Sequence, residues 1–356
     1  MNKSILLLCL VAFMGFSLTA FAGNPDRQGE AGAPELVMNP WARSAGLHSM
    51  TASFVNGVEA MRINVAGLSR INRTELVAGY ANYLDGTGIS MNALGIAQKL
   101  GENGAFGVSI MALDFGDIPV TTTAQPEGTG TTFSPSWFNI GFGYSHTFEN
   151  KVSVGVLFRG VFESTADINA SGLGIDAGVQ YVTGPKDNFK FGIAIRNVGT
   201  RLKFGGEALS QQVSRSTNDN PDGTPITVRV RVEDFELPSL LNLGLSYDLY
   251  PSEDHRFTIL GNFTANSFSR DQIGGGLEYS FKEMFFLRGG YNYEFGETVD
   301  DAGNEIQESI YDGLSLGAGI EAPFKKGKPT RFGIDYAYRT STPFNGTHNI
   351  SLRIRI

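Results

Sequence analysis

Large apolar residues alternate with small or polar ones at a period of two, in runs of about ten residues repeated along most of this chain, and no other feature restricts its fold so tightly. From Met284 to Phe295 one phase reads Phe285, Leu287, Gly289, Tyr291, Tyr293 and Phe295, and the other Met284, Phe286, Arg288, Gly290, Asn292 and Glu294. Phe138, Ile140, Phe142, Tyr144 and Phe148 oppose Asn139, Gly141, Gly143, Ser145 and Thr147 in the same way. Leu241, Leu243, Leu245, Tyr247 and Leu249 oppose Asn242, Gly244, Ser246 and Asp248. At the C-terminus Ile350, Leu352, Ile354 and Ile356 alternate with Ser351, Arg353 and Arg355. Successive side chains of a strand point to opposite faces, so these are strands with one apolar and one polar face; a helix would repeat near 3.6.

Length decides what the apolar face meets. A strand crossing a bilayer needs about 9 to 11 residues, and a spanning barrel turns apolar side chains to lipid and polar or small ones to its lumen. Charged residues make up only 18% of the chain and aromatics 11%, yet beyond the first residues no apolar run reaches the length of a spanning helix. The fold class expected is therefore all-β: a transmembrane antiparallel β-barrel. Alternating runs fall near 74–84, 88–99, 105–115, 136–148, 151–163, 170–182, 189–198, 237–250, 255–266, 270–282, 284–295, 308–321, 330–340 and 346–356, which is fourteen strands. With the first strand leaving the periplasm, every periplasmic turn is short, and the long connections 116–135, 199–236 and 296–307 all fall outside. That sorting matches bacterial barrels and owes nothing to hydrophobicity. The alternation at 227–232 reads as a hairpin above the membrane.

The N-terminus sets the compartment. Lys3 precedes an apolar stretch from Ile5 to Phe16 that closes in Ala20-Phe21-Ala22, the small-x-small pattern of a signal peptide cleaved after Ala22. A lipoprotein anchored at Cys9 is disfavoured, because the apolar run continues beyond it. The domain division expected is residues 1–22 signal peptide, 23–72 an N-terminal plug segment and 73–356 the barrel, in the outer membrane of a Gram-negative bacterium. Residues 23–72 lack the alternation but carry Trp41, Leu47, Met50, Phe54, Val58, Met61, Ile63 and Leu68, which a free tail has little reason to keep. A fourteen-stranded bore must be lined or filled, and this stretch is the candidate. Partners follow from the fold: outer-membrane lipid and barrel assembly machinery, while a net charge of −8 argues against nucleic acid.

The segment Trp41-Ala42-Arg43-Ser44-Ala45-Gly46-Leu47, then Gly57-Val58-Glu59-Ala60-Met61, then Asn64-Val65-Ala66-Gly67-Leu68, with Tyr80 in the first strand, resembles the PorV/PorQ family of outer-membrane proteins, related in fold to FadL transporters. Val65 stands where that family usually has Pro, and His48-Ser49-Met50 replaces a glycine-rich step. The resemblance covers roughly residues 41 to 84. It implies a fourteen-stranded barrel with an N-terminal plug, the motif residues being Trp41, Arg43, Gly46, Glu59, Asn64, Ala66, Gly67 and Leu68. It also implies a non-enzymatic part in type IX secretion, with secretion components and secreted proteins bearing C-terminal signal domains as partners. The alternative is a FadL-like conduit for hydrophobic small molecules. Asn64 and Gly67 are expected to hold the plug's end near the first strand, through local backbone bonding and a tight turn.

Catalytic and metal chemistry find no constellation. His48, His146, His255 and His348 are scattered, no triad is persuasive, and no cofactor or metal is expected. Gly172-Leu173-Gly174 and Gly274-Gly275-Gly276 lie within alternating strands and read as barrel glycines that ease bending or admit a neighbouring backbone. Asn218, Asn220, Asp222 and Gly223 imitate the start of a calcium loop, but Arg229 stands where the bidentate acid belongs. Residues 300–305 are acidic enough for weak cation contact only. On the lumen phase, Arg159, Arg196, Arg288, Arg331, Arg339, Arg353 and Arg355 share the interior with Glu163, Glu278, Glu294 and Asp335. Mixed signs point to a paired network joining wall and plug rather than an ion-selective pore.

Overall fold

A computed structural model describes residue 27 and residues 29–356, apart from 218–219, 297, 300–304, 307–308, 325–328 and 343. The expected signal peptide, Cys9, and parts of the calcium-like and acidic loops lie outside the described residues. Fourteen antiparallel strands close into one barrel. We number them β1 (Thr74–Tyr83), β2 (Ile89–Leu100), β3 (Gly104–Asp114), β4 (Ser136–Phe148), β5 (Val152–Thr165), β6 (Ile168–Thr183) and β7 (Phe189–Gly199). The second half is β8 (Leu240–Ser252), β9 (His255–Asn266), β10 (Gln272–Phe281), β11 (Phe285–Glu294), β12 (Leu314–Pro323), β13 (Arg331–Arg339) and β14 (Thr347–Arg355). Each pairs with its sequence neighbours. The barrel closes where β1 meets β14, from Glu75 opposite Arg355 to Asn82 opposite His348. The Ile356 N–H donates to the Thr74 carbonyl at 2.9 Å, so the C-terminus and the start of β1 meet at one rim.

That rim carries the short turns. Glu149-Asn150 and Lys282-Glu283 each hold positive φ at both residues, the geometry whose twist matches a tight hairpin. The opposite rim carries the long connections, and 210–229 forms a hairpin outside the wall in which Val213 faces Ile226. Its segment Thr227–Arg229 therefore lies outside the barrel, as the alternation there suggested. Two strands start three or more residues later than the alternation indicated. Leu237 is drawn into a buried cluster with Leu36 and Leu202, delaying β8, and residues 309–313 bend before β12.

Exposure follows the expected phases. Leu94, Phe142, Phe158, Leu287, Tyr291 and Ile350 are exposed on the outer face, whereas Asn139, Ser145, Gln180, Arg288 and Ser351 are buried within. A wall of exposed apolar side chains would be untenable in water and is what hydrocarbon requires. At the β6–β7 pair the register shifts, with Asn197 at positive φ and its N–H donating to Asp176 at 2.6 Å.

Residues 33–71 form short helical turns, Pro34–Leu36, Ala42–Ala45, Gly57–Glu59, Ala60–Ile63 and Val65–Arg70, most of whose residues are buried. They lie against inward-facing residues of all fourteen strands. In eleven strands, all but β9, β13 and β14, the contact is at an inward glycine where a Cβ would come within 3.3 Å of the segment. A Cβ on Gly155 would lie 2.7 Å from the Val65 backbone, one on Gly244 2.9 Å from the Ser53 nitrogen, and one on Gly317 3.0 Å from Gly46. In the other three, Leu260 of β9 packs with Leu47 and Met50, and Ala337 of β13 with Ala42 and Ala45, while Ser351 of β14 accepts the Ala42 N–H at 2.9 Å. This glycine collar lets the backbone of the segment approach the wall, the close approach for which strand glycine is suited.

Candidate functional site

The lumen and the segment within it are the candidate site. Trp41, Glu59, Asn64, Ala66 and Leu68 of the motif are all buried. Glu59 joins segment to wall: one oxygen pairs with Arg353 and the other accepts the Ser44 N–H at 3.0 Å. Arg353 stands 3.9 Å from both Glu75 and Asp335, and Arg355 pairs with Glu75 at 2.7 Å and Glu321 at 3.1 Å. Glu75 in turn accepts the Val58 N–H at 2.8 Å. Arg288 bridges Glu278 and Asp335, each at 2.7 Å, and Arg159 pairs with Asp176 at 2.7 Å while donating to the Met61 carbonyl at 3.0 Å.

One expectation for the motif needs correction. Asn64 does not tie the segment to the first strand: its amide donates to the Ala52 carbonyl at 2.8 Å and to Val179 of β6 at 3.1 Å, while its oxygen accepts the Ala66 N–H at 3.2 Å. The first strand is held instead by Glu75 to Val58 and by Trp41 over Gly79. Gly67 does lie in a tight turn, its N–H donating to the Asn64 carbonyl at 3.0 Å. A Cβ there would overlap the Val55 carbonyl, so the position is small because two backbones cross. Arg43 lines the same cavity as Glu278, and burial, ahead of the neighbouring Arg353 charge, pulls its guanidinium below the usual range.

Of the lumen charges, Arg159, Glu278, Arg288, Arg331, Asp335, Arg353 and Arg355 form ion pairs, and Glu294 accepts from Gln272 at 2.9 Å. Glu163, Arg196 and Arg339 do not fit that pattern. Arg196 donates to the Leu36 carbonyl at 3.1 Å, and Arg339 lies 4.2 Å from the Tyr311 ring centre. Glu163 keeps one oxygen without a hydrogen-bond partner, and Glu35 of the segment keeps both. Burial, and next the Glu163 carboxylate, push the Glu35 carboxyl up to about 7. Nearby Arg62 donates from Nε and Nη2 to the carbonyls of Met38 and Glu35 and keeps Nη1 without a partner. Glu75, Asp176, Asp248, Arg256 and Glu321 complete the network and were not singled out from sequence. Glu75, Asp176 and Asp248 lie on the lumen phase of their strands, and that signal could have found them.

The histidines stay apart. His48 packs edge-on to Tyr311 and is pushed down to about 3 by burial, then by the Arg339 charge. His255 and His348 bond to Tyr279 and Tyr336, each at 2.8 Å, and His146 packs edge-on to Phe148. Among the described residues no group of three or more His, Cys, Asp or Glu could hold a metal. Two cavities flank the segment. One of about 430 Å³ opens at the turn rim among Arg43, Phe54, Glu278, Phe286 and Arg355; the other, of about 220 Å³, faces the loop rim. Beside the latter, β1 to β4 turn an apolar cluster inward, with Tyr83, Met91, Leu113, Phe115 and Trp137.

A closed fourteen-stranded antiparallel wall, apolar outside and holding its own N-terminal segment within, defines a β-barrel of the membrane-spanning class. Solved structures agree with that class. The chain is similar to the CymD monoaromatic hydrocarbon channel, at 16% identity over 89% of this chain and 97% of that one, TM-score 0.54. It is similar also to the Ralstonia pickettii toluene transporter TbuX (13% identity, 88% and 97% covered, TM-score 0.53) and to a Pseudomonas aeruginosa FadL homologue (12%, 88% and 97%, TM-score 0.51). No protein-family model and no curated protein matches the sequence.

Proposed function

We propose that this protein is a gated conduit for small hydrophobic molecules across the outer membrane, with residues 33–71 as the gate. The observation that carries the reading is the seating of one N-terminal segment against all fourteen strands of a closed wall, through a collar of inward glycines. The apolar cluster at the loop end of β1 to β4 lies inside the wall, a lining that suits an apolar solute once the segment moves. The solved structures of similar fold include a hydrocarbon channel and a toluene transporter, which supports the same solute class.

Planar-bilayer recording tests it. Full-length protein should conduct poorly, and deletion of residues 24–68 should open a measurable conductance, provided the barrel still resists unheated SDS. Toluene should enter proteoliposomes faster with the protein than without. Large currents from the full chain, or currents unchanged by the deletion, would remove the gate from the mechanism.

A second reading, a PorV/PorQ-like part in type IX secretion, draws support from the outer hairpin, where Val213, Ile226 and Val228 are exposed. Detergent-resistant co-purification with secretion components would favour it, and saturable toluene binding would favour the conduit.

A further inference from the structure

We propose that the cavity on the loop side of the segment binds a small hydroxylated carboxylate, held by Arg196 and Arg339. The proposal needs only the seated segment and stands whether or not the protein conducts.

The cavity of about 220 Å³ is walled by Arg196, Arg339, carboxamides such as Asn242, Asn262 and Asn292, and the hydroxyl of Thr264. No carboxylate lines it among the described residues. Both arginines are buried, at 6% and 4% exposure. Neither forms an ion pair among the described residues, unlike Arg159, Arg288 and Arg353 in the same lumen. Arg339 has no hydrogen-bond partner at Nε or Nη2, and Arg196 has none at Nε. A buried charge is ordinarily paired, because its desolvation is not otherwise offset. Two unpaired guanidiniums on one cavity therefore call for an anion.

The neutral groups narrow its class. Asn262 keeps an unspent oxygen while its amide donates to Thr264 at 3.0 Å, and Thr264 donates to Asn242 at 2.7 Å. Asn292 donates to Gln272 at 2.9 Å. Such a row of amides and hydroxyls both donates and accepts, which matches hydroxyl groups and is wasted on a hydrocarbon. Tyr311, stacked under Arg339 at 4.2 Å, fixes the plane of that guanidinium for bidentate contact with a carboxylate. The volume is below that of drug-sized pockets, so a single-ring or short-chain acid fits. Because His48 and Met50 of the segment share the cavity with β7 to β11, such a ligand bridges segment and wall.

Isothermal titration of the full-length mature protein in detergent, with gluconate as probe, tests this. Gluconate should bind one to one and more weakly as salt rises, with glucose and benzoate at least tenfold weaker. Arg339→Gln and Arg196→Gln should each weaken gluconate at least tenfold. Should either arginine variant lose its heat-modifiable barrel, Asn262→Ala, which removes one unspent acceptor, should still weaken binding severalfold. Absence of saturable gluconate binding, an unchanged affinity in correctly folded Arg339→Gln or in Asn262→Ala, or benzoate or inorganic phosphate binding as tightly as gluconate would each overturn the assignment.

Discussion

Glu59→Gln is the substitution that most directly weakens the seating of the segment. Glu59 is 1% exposed and pairs with Arg353, itself 2% exposed, while its second oxygen holds the Ser44 N–H at 3.0 Å. Removing one partner of a buried ion pair costs about 3 to 5 kcal/mol, chiefly because the other charge is left uncompensated. Arg353 retains Glu75 and Asp335, each at 3.9 Å, so the low end, about 3 kcal/mol, is expected here. At about 1.4 kcal/mol per factor of ten, the unseated population should rise roughly a hundredfold.

A thiol reports that population. Ser53 is fully buried, with its hydroxyl 3.0 Å from that of Ser246, and Ser53→Cys nearly preserves its shape. Cys9, the only native cysteine, falls in the expected signal peptide. Labelling of Cys-substituted protein by a polar maleimide should be roughly a hundred times faster in the Glu59→Gln background. Glu59→Leu combined with Arg353→Met should bring it back to within about tenfold of the parent, since removing both charges leaves none stranded. Glu75 and Asp335 then still keep Arg355 and Arg288. Labelling of Glu59→Gln within about twofold of the parent would refute the reasoning, as would a double variant labelled as fast as the single one.

Gly155→Ala should raise the same labelling and lower the temperature of heat modification, because its Cβ would meet Val65 backbone at 2.7 Å and overpacking costs about 1 to 3 kcal/mol; an unchanged barrel would dismiss the collar. Glu35, raised from 4.5 to about 7, favours seating fully below about pH 4.5 and ceases to as pH rises through 7, a swing of roughly 3 kcal/mol. His48, lowered from 6.5 to about 3, acts in the opposite sense, favouring seating above pH 6.5 and opposing it as pH falls. Relative to the labelling rate of a free thiol at the same pH, His48→Phe should therefore label faster with rising pH and Glu35→Gln with falling pH, and parallel slopes would show the assignment wrong. An epitope tag at Asn220 should be reached by antibody on intact cells; staining only after the outer membrane is opened would reverse the orientation.

The wall was legible because a period of two states face and length together. Thirteen strands begin within three residues of where the alternation placed them; β12 begins six residues later, at Leu314, after the bend that brings Tyr311 under Arg339. The interior was less legible. Inward glycines were read as easing bends or admitting a neighbour, and only the fold shows that the neighbour is the chain's own N-terminus, around the whole circumference. Alternation tells which residues face inward but not which of them meet across the lumen. Arg288 lies between Glu278 and Asp335, separated from them by 10 and 47 residues, and no local pattern predicts that. Residues 33–71 have no period to read at all, since no helical turn there exceeds six residues.

That shortness bears on how a gate of this kind would open. Isolated helices below about 12 residues are marginal in water, so turns of three to six residues owe their shape to the wall. Lifting one turn strands the partners of the next: Ser44 and Arg353 share Glu59, and Ala52 and Val55 share the amide of Gln180. Loss of one contact therefore weakens its neighbours, and the segment should leave the wall as a unit. Single-channel records of Glu59→Gln should show rare openings of one full size, equal to the conductance of the 24–68 deletion. A ladder of partial levels would mean that the turns release independently, and the segment would then be a set of separate constrictions rather than one gate.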